Sequence, residues 1–456
     1  MVSAIGGPPQ VVNPNLEPLD PPSALLIEAV GQGLLRFDAA GQVEPALAQS
    51  WIVSDDGLRY TFRLARTNWA GGGRITAEQV VARLKAALSR SSKNPLKPLL
   101  GAIAEIEAMT DDVLEISLKA PRPNFLQLLA QPELAILRNS RGTGPFEATQ
   151  QEDGSMVLSL PPDDDQPVTS ERKPADIDLR GEGAAMAVAR FDRGLADFVN
   201  GGTIGDLPIA RAAQPPATAL RFDPVAGLFG LIFANTDGIL GDPTARRALS
   251  MAIDRAALVA ALAVPDLQPR ISLLPPGVDE LPSPAIPDWG PSPLPMRREL
   301  AADAIRTTGG QAPITLRIAV PDGPGYRLAF AHLRRDWRAI GVQAEAVPAS
   351  GQADLRMVDR VAAANVPSWY LRRFTCDVSP VCSAEADAAL EAARNAPTSA
   401  ERQASLASAD RALTDITPFI PIAAPVRWSL VSPRLTGFQP NAFGRHYLGG
   451  LVAAGR

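Results

Sequence analysis

At 456 residues, with 46% hydrophobic and 20% charged side chains, the sequence describes an ordered globular protein too long for one core, so two or three lobes are expected. A net charge of −5, with scattered arginines and no basic run interleaved with aromatics, gives no drive toward nucleic acid. No apolar run reaches the about 18 residues that a membrane-spanning helix needs.

In chain order, the opening "MVSAIGGPPQVVNPNLEPLDPP" carries neither the cationic nor the apolar region of an export signal. The expectation is a cytosolic protein or one whose signal peptide has been removed. A helix is predicted from Ser23 to Val30, behind the prolines at 21 and 22. "GLLRFDAAGQVEPALAQSWIVSDDGLRYTFRLA" reads as strand, turn, short helix, strand, turn, strand, with Asp56-Gly57 as the hairpin signal. Thr76 and Gln79 form a capping box before "AEQVVARLKAAL". A second strand pair turns at Asp111-Asp112, so residues 37 to about 138 can form an α+β lobe of their own. From 141 a glycine-hinged stretch enters another hairpin, and 161–176 is polar, proline-rich and expected as an exposed loop. "AMAVARFDRGLADFV" mixes helix and strand signals.

The second half alternates more regularly. "LFGLIFANT" is a buried strand, and Asp242-Pro243 starts one amphipathic helix, "TARRALSMAIDRAALVAAL". "ITLRIAV", a helix over 326–340, "VQAEAVPA" and the strand opening "DLRMVDRVAAANVPSWYLRRF" follow. Helices are predicted at about 384–394 and 399–415, the latter capped by Thr398 and Glu401, before a β-rich end. The stretch 354–374 is unusual, because Trp369 and Tyr370 adjoin two arginines in a chain with only 5% aromatics. It reads either as a packed strand end or as the wall of a binding site.

Catalytic motifs are absent: no phosphate-binding glycine loop, no nucleophile elbow and no zinc-protease helix. The two histidines are His332, inside a predicted helix and read as a surface or packing residue, and His446, in the aromatic loop "FGRHYLGG" and the better site candidate. Asp55-Asp56 and Asp111-Asp112 occupy turns, where acids serve solvation and backbone hydrogen bonds. No metal site or cofactor is expected. Cys376 and Cys382 are too far apart for the C-x-x-C spacing of metal and redox motifs, and read as a short-loop disulfide in an oxidising compartment or as two inert thiols. These residues point to a multi-lobed binding protein rather than an enzyme.

Several segments in order resemble the solute-binding proteins of ABC importers, family 5, the dipeptide-, oligopeptide- and nickel-binding type. They are "GLLRFDAAGQVEPALAQSWIVSDDGLRYTFRLART", "ITAEQVV", "GTGPF", "LIFANT" with "DPTARRALSMAIDRAALV", "LRRDWRAIGVQAE" and "LTDITPFIPIAAP", in register from about 16 to 440. The resemblance implies an α/β, periplasmic binding protein-like fold (type II, cluster C), a two-lobed, pear-shaped clamshell with an extra α+β domain. Domain I would comprise 1–36, 141–221 and 425–456, domain II 37–140, and domain III 222–424. A ligand would be held between domains I and III and released by hinge motion. The protein would be a monomer in the periplasm, or lipid-anchored on the outer side of the inner membrane, with ABC permease subunits and a small-molecule or peptide ligand as partners. The cysteine pair resembles a disulfide of dipeptide-binding members.

Departures from the family pattern bear on the ligand. Dipeptide binders place an aspartate for the peptide's ammonium group before the proline of the segment matching "AAANVPSW"; here the nearest positions are Ala362, Ala363 and Ala364. They place an arginine for the carboxylate in the loop matching "VPDGPG"; here that loop has Val320 and Asp322. The stretch before the domain II helix is altered to "WAGGG", and the chain is shorter than typical members. A buried ligand charge without its counter-ion costs several kcal/mol, so the expected cargo is not a simple dipeptide. Candidate contacts are Asp359, Arg360, Asn365, Trp369, Tyr370, Arg372 and Asp322, with Leu19, Asp20 and the 445–447 loop carrying His446 implied by the resemblance. At most one of the adjacent Arg372 and Arg373 is expected to face the ligand. Alternatives are an oligopeptide-binding importer component and a periplasmic receptor or chaperone without transport; a hydrolase on the same fold ranks last because no nucleophile–base pair stands out.

Overall fold

A computed structural model describes residues 1–69, 72–138, 141–160, 176–281, 283–309 and 313–453. The chain divides into two units, the first built from Met1–Gly202, Ile209–Pro224 and Arg427–Arg456, the second from Thr203–Pro208 and Val225–Val426.

In the first unit, four residues at the very start, Val2–Ile5, form a strand between Ile177–Glu182 and Phe198–Thr203, parallel to both. Around it a seven-stranded sheet runs in the order Leu220–Asp223, Arg427–Val431, Phe198–Thr203, Val2–Ile5, Ile177–Glu182, Met156–Ser159, Glu147–Gln150. The helix Pro21–Val30 covers this sheet with Leu25, Leu26, Ala29 and Val30, which pack on Phe146, Leu158, Leu179 and Phe198. Its prolines sit in the first turn, where a missing N–H costs nothing, and Asp20 caps it by accepting from the Ser23 amide at 3.0 Å.

The same unit holds a four-stranded antiparallel sheet in the order Ala48–Val53, Arg59–Leu64, Val113–Leu118, Ile103–Thr110. Alternation puts Phe62, Leu64, Leu114 and Ile116 on a buried face, and the helix Ala77–Leu88 buries Val80, Val81 and Leu84. The capping box of Thr76 and Gln79 is formed in both directions. At the Asp56-Gly57 turn, Gly57 takes φ +67° while the Asp56 carboxylate accepts from Ser54 Oγ and the Leu58 amide.

The second unit is a five-stranded mixed sheet in the order Val342–Pro348, Ile314–Val320, Leu355–Val361, Gly227–Phe233, Phe419–Ala423. The first three strands are parallel, the first two in this order joined through the helix Pro324–Arg338; the last two pair antiparallel. Leu228, Phe229, Leu231 and Phe233 are buried, matching a strand covered on both faces. The helices include Pro324–Arg338, Ala384–Asn395 and Ser399–Ile416, the last capped by Thr398.

Three readings of the sequence need correction or extension. The single helix expected over 244–262 is two, Pro243–Met251 and Arg255–Leu262. Asp254 caps the second by accepting from the Ala257 amide, and the buried Asp336 carboxylate takes the Asp254 amide at 2.9 Å, so the break leaves no orphan donor there. The short helix expected after residue 42 is absent; Val43–Pro45 pairs with Leu35–Phe37, and the amides of Leu47 and Ala48 donate to Gly33 and Leu34 instead of along a helix. The strand Val2–Ile5 and the helix Leu294–Gly309 had no local signal strong enough to read. The expected loop at 161–176 lies, but for its last residue, outside the described residues.

Candidate functional site

The segment 354–374 lies wholly in the second unit. Its strand, Leu355–Val361, is the centre of the five-stranded sheet, alternating buried Leu355 and Met357 with more accessible neighbours. The alanines break the strand, and Pro367 opens the short helix Pro367–Leu371, which tightens into a 3₁₀ turn at Arg372–Phe374. Beyond it Cys376 and Cys382 are joined by a disulfide with Cα atoms 5.0 Å apart.

Within this segment the candidate residues divide by role. Tyr370 is wholly buried; its hydroxyl donates to Asn365 Oδ1 at 3.1 Å, and burial pushes its ionisation well above the ordinary tyrosine value. Asn365 also lends its carbonyl oxygen to the Asp279 amide. Trp369 is 6% exposed and meets Tyr370 edge-to-face at 4.8 Å. Asp359 accepts from the Tyr326 hydroxyl at 2.7 Å, whereas Arg360, one residue on, is exposed.

The two arginines of the 3₁₀ turn part company. Arg372 lies among Arg394, Glu391, Arg402 and Asp377, and burial lowers its pKa. Arg373 instead lays its guanidinium over the Trp369 ring, 4.1 Å from the centroid. Its Nε is buried with no acceptor, and burial, with the charge of Arg360 added, depresses it to about 10. A third cation, Arg270, is buried, donates from Nη2 to the Gly227 carbonyl at 2.8 Å, keeps an unpaired Nε and is likewise lowered to about 10 by burial. Tyr370 feels both charges. Sequence reading missed Arg270, which no spacing connects to 360–373, and chose Arg372 where the turn presents Arg373 to the tryptophan.

Asp322 is exposed at the head of the Pro324–Arg338 helix. The loop is drawn tight because Gly325 lies where a Cβ would sit 1.8 Å from the Ile204 carbonyl oxygen. Tyr326, one turn in, is thereby aimed at Asp359.

Leu19, Asp20 and His446 belong to the first unit. Leu19 is half-buried, and the Asp20 carboxylate is occupied as a helix cap. His446 is 3% exposed; its Nε2 lies 3.1 Å from Asp223 Oδ2, and its ring packs on Phe438 at 4.5 Å. On either side, Arg445 pairs with Glu133 at 3.0 Å and Tyr447 accepts from Arg36 at 3.2 Å. Elsewhere in this unit a cavity of about 230 Å³ is bounded by Asn13, Asn15, Arg83 and Leu137 among others. Among the described residues no group of three or more potential ligand side chains is arranged for a metal ion, and no helix is long and apolar enough to cross a membrane.

A central mixed sheet in each unit, with an additional antiparallel lobe, is the type II periplasmic binding-protein fold. The chain superimposes on Haemophilus influenzae OppA, solved in complex with RPPGFSPFR, with a TM-score of 0.85 at 17% identity, covering 99% of this chain and 98% of that one. The family "Bacterial extracellular solute-binding proteins, family 5 Middle" matches residues 42–376, and the chain belongs to it. It is 32% identical over 156 residues to the glutathione-binding protein GsiB of Escherichia coli O1:K1, covering 30% of each chain. It is equally identical over 124 residues to the nickel-binding periplasmic protein of Escherichia coli K12, covering 26% of this chain and 24% of that one. The chain therefore matches less than a third of the length of these curated relatives. Family 5 members are binding proteins, not enzymes, and work with ABC permeases.

Proposed function

We propose that this protein is an extracytoplasmic solute-binding protein that captures a small organic ligand other than a simple dipeptide and delivers it to an ABC importer without bond chemistry. The observation that carries this reading is the family match across 42–376 on a fold shared over nearly the whole chain. It acts as a monomer in the periplasm or tethered outside the inner membrane, and residues 37–140 form a domain of their own. The ligand meets the wall made by Arg360, Asn365 and the Trp369 edge, while Tyr370 and Asp359, both engaged in internal hydrogen bonds, hold that wall in shape. The absence of acids at Ala362, Ala363 and Ala364 supports a cargo without the peptide ammonium group. An oligopeptide cargo is the second reading, favoured by the peptide-bound structural neighbour.

Native mass spectrometry of the freshly purified chain tests both. A single co-purified small molecule, whose uptake by cells needs a neighbouring permease, is the expected result. A ladder of peptide masses would select the second reading, and binding without permease-dependent uptake would make the protein a receptor or chaperone.

A further inference from the structure

Most buried or half-buried arginines in the second unit are either fully employed or have an acid nearby, as Arg297 has Asp254 although its Nε is unpaired. Arg402 forms a two-pronged ion pair with Glu280 at 2.5 and 3.2 Å, and Arg298 pairs with the buried Asp336 at 2.7 Å. Arg246 and Arg255 have no acid, but their guanidinium groups are spent on the carbonyls of Ile416, Leu240, Pro421 and Ser250. Arg373 differs from all of these. No described residue accepts a hydrogen bond from it, its Nε is sealed from solvent, and Arg360 brings a second positive charge rather than a neutralising one. Arg270 adds a third cation near the same tyrosine, with its own Nε unused. No described carboxylate forms an ion pair with any of the three.

Such an arrangement is unfavourable as a piece of packing. A half-buried guanidinium loses hydration, and a neighbouring like charge adds repulsion. Stacking on Trp369 fixes the plane of the Arg373 fork while offering no acceptor to its edge. Tyr370 adds no negative charge either, since burial keeps its hydroxyl neutral, and that hydroxyl donates to Asn365. The group missing from this constellation is an oxyanion in the plane of the fork.

We propose that Arg373, oriented by the Trp369 ring and assisted by the positive charge of Arg360 and Arg270, is an anion-binding subsite that takes the carboxylate or phosphate group of a small organic ligand. This rests on the solute-binding reading and narrows its cargo to an acid. The charge lost with the arginine of the "VPDGPG" loop is thus restored from a different part of the same unit, so the acid need not be presented as the terminus of a dipeptide.

The test uses the full chain, dialysed free of small molecules, titrated by calorimetry and tryptophan fluorescence at constant ionic strength. The probes are the co-purified molecule where one is found, citrate and glutarate as carboxylates, glycerol 3-phosphate as a phosphate, and putrescine and glucose as cationic and neutral controls. Binding of at least one anion is expected, with Arg373→Gln weakening it by about 10-fold or more and Arg360→Gln by about threefold. Melting temperatures of both variants should stay at or above that of the parent, which separates lost recognition from lost folding. Which anion binds decides between carboxylate and phosphate. Binding of only a neutral or cationic molecule, or an anion held equally well by Arg373→Gln, overturns the anion subsite and leaves solute capture standing. A chain that binds none of the probes and carries no co-purified molecule overturns both.

Discussion

Two aromatic segments flanked by cations, "FGRHYLGG" in the first unit and "SWYLRRF" in the second, look alike on paper and are opposites in the fold. Around 445–447 each polar side chain meets a complement: Arg445 with Glu133, His446 with Asp223, Tyr447 with Arg36. Around 360–373 the tyrosine and asparagine satisfy each other, but Arg360 and Arg373 find no acid. A network in which each charge meets a counter-charge suits a scaffold, because buried groups left unpaired cost stability; here only the second Glu133 oxygen stays without a partner among the described residues. The two segments thus differ in how their charges are paired rather than in residue type.

The largest effect should come from breaking the charge-paired side. Arg445→Met leaves Glu133 without its cation and Glu28, whose pKa is already raised by burial, without the charge that moderates it. A loss of about 3 kcal/mol is expected in chemical denaturation at neutral pH. A variant as stable as the parent would show the 445–447 network to be no scaffold.

A smaller effect concerns an acid left partly unpaired in the second unit. Asp410 is buried, accepts from the Ala285 amide, keeps one oxygen without a partner and is pushed up to about 6 by burial. Because its folded pKa is raised above the unfolded value, its contribution is fully present below the unfolded value and is lost as pH rises through about 6. Asp410→Asn should therefore gain on the parent through that window, reaching on the order of 2 kcal/mol above pH 7. A pH-independent difference between the two melting curves would refute the assignment.

The smallest expected change sharpens the contrast. Arg373→Gln in ligand-free protein removes a cation that pairs with nothing, so stability should move by less than about 1 kcal/mol and in the upward direction. Destabilisation by several kcal/mol would mean that Arg373 is structural, and the two segments would no longer differ in kind.

Much of the secondary structure was legible because its causes are local. The Thr76–Gln79 box, the Asp56-Gly57 turn, the Asp242-Pro243 start and the buried run Gly227–Phe233 each rest on neighbours within a few residues. Val2–Ile5 was not legible, since a four-residue strand is defined by partners almost 180 and 200 positions away. The helix break at Asp254 was missed for a similar reason: the carboxylate that stabilises it belongs to Asp336.

The candidate site divides along the same line. Sequence alone singled out 354–374 as the candidate wall, through its unusual aromatic and arginine content and its family likeness, and it showed that alanines stand at 362–364. Only the tertiary structure decided that Arg373 stacks on Trp369 while Arg372 turns toward Glu391 and Arg394, because one residue of phase in a 3₁₀ turn rotates a side chain by about a third of a circle. Only it brought Arg270 toward Tyr370, across about a hundred residues of chain. Composition reports which charges a protein has; folding decides which of them are left without a partner.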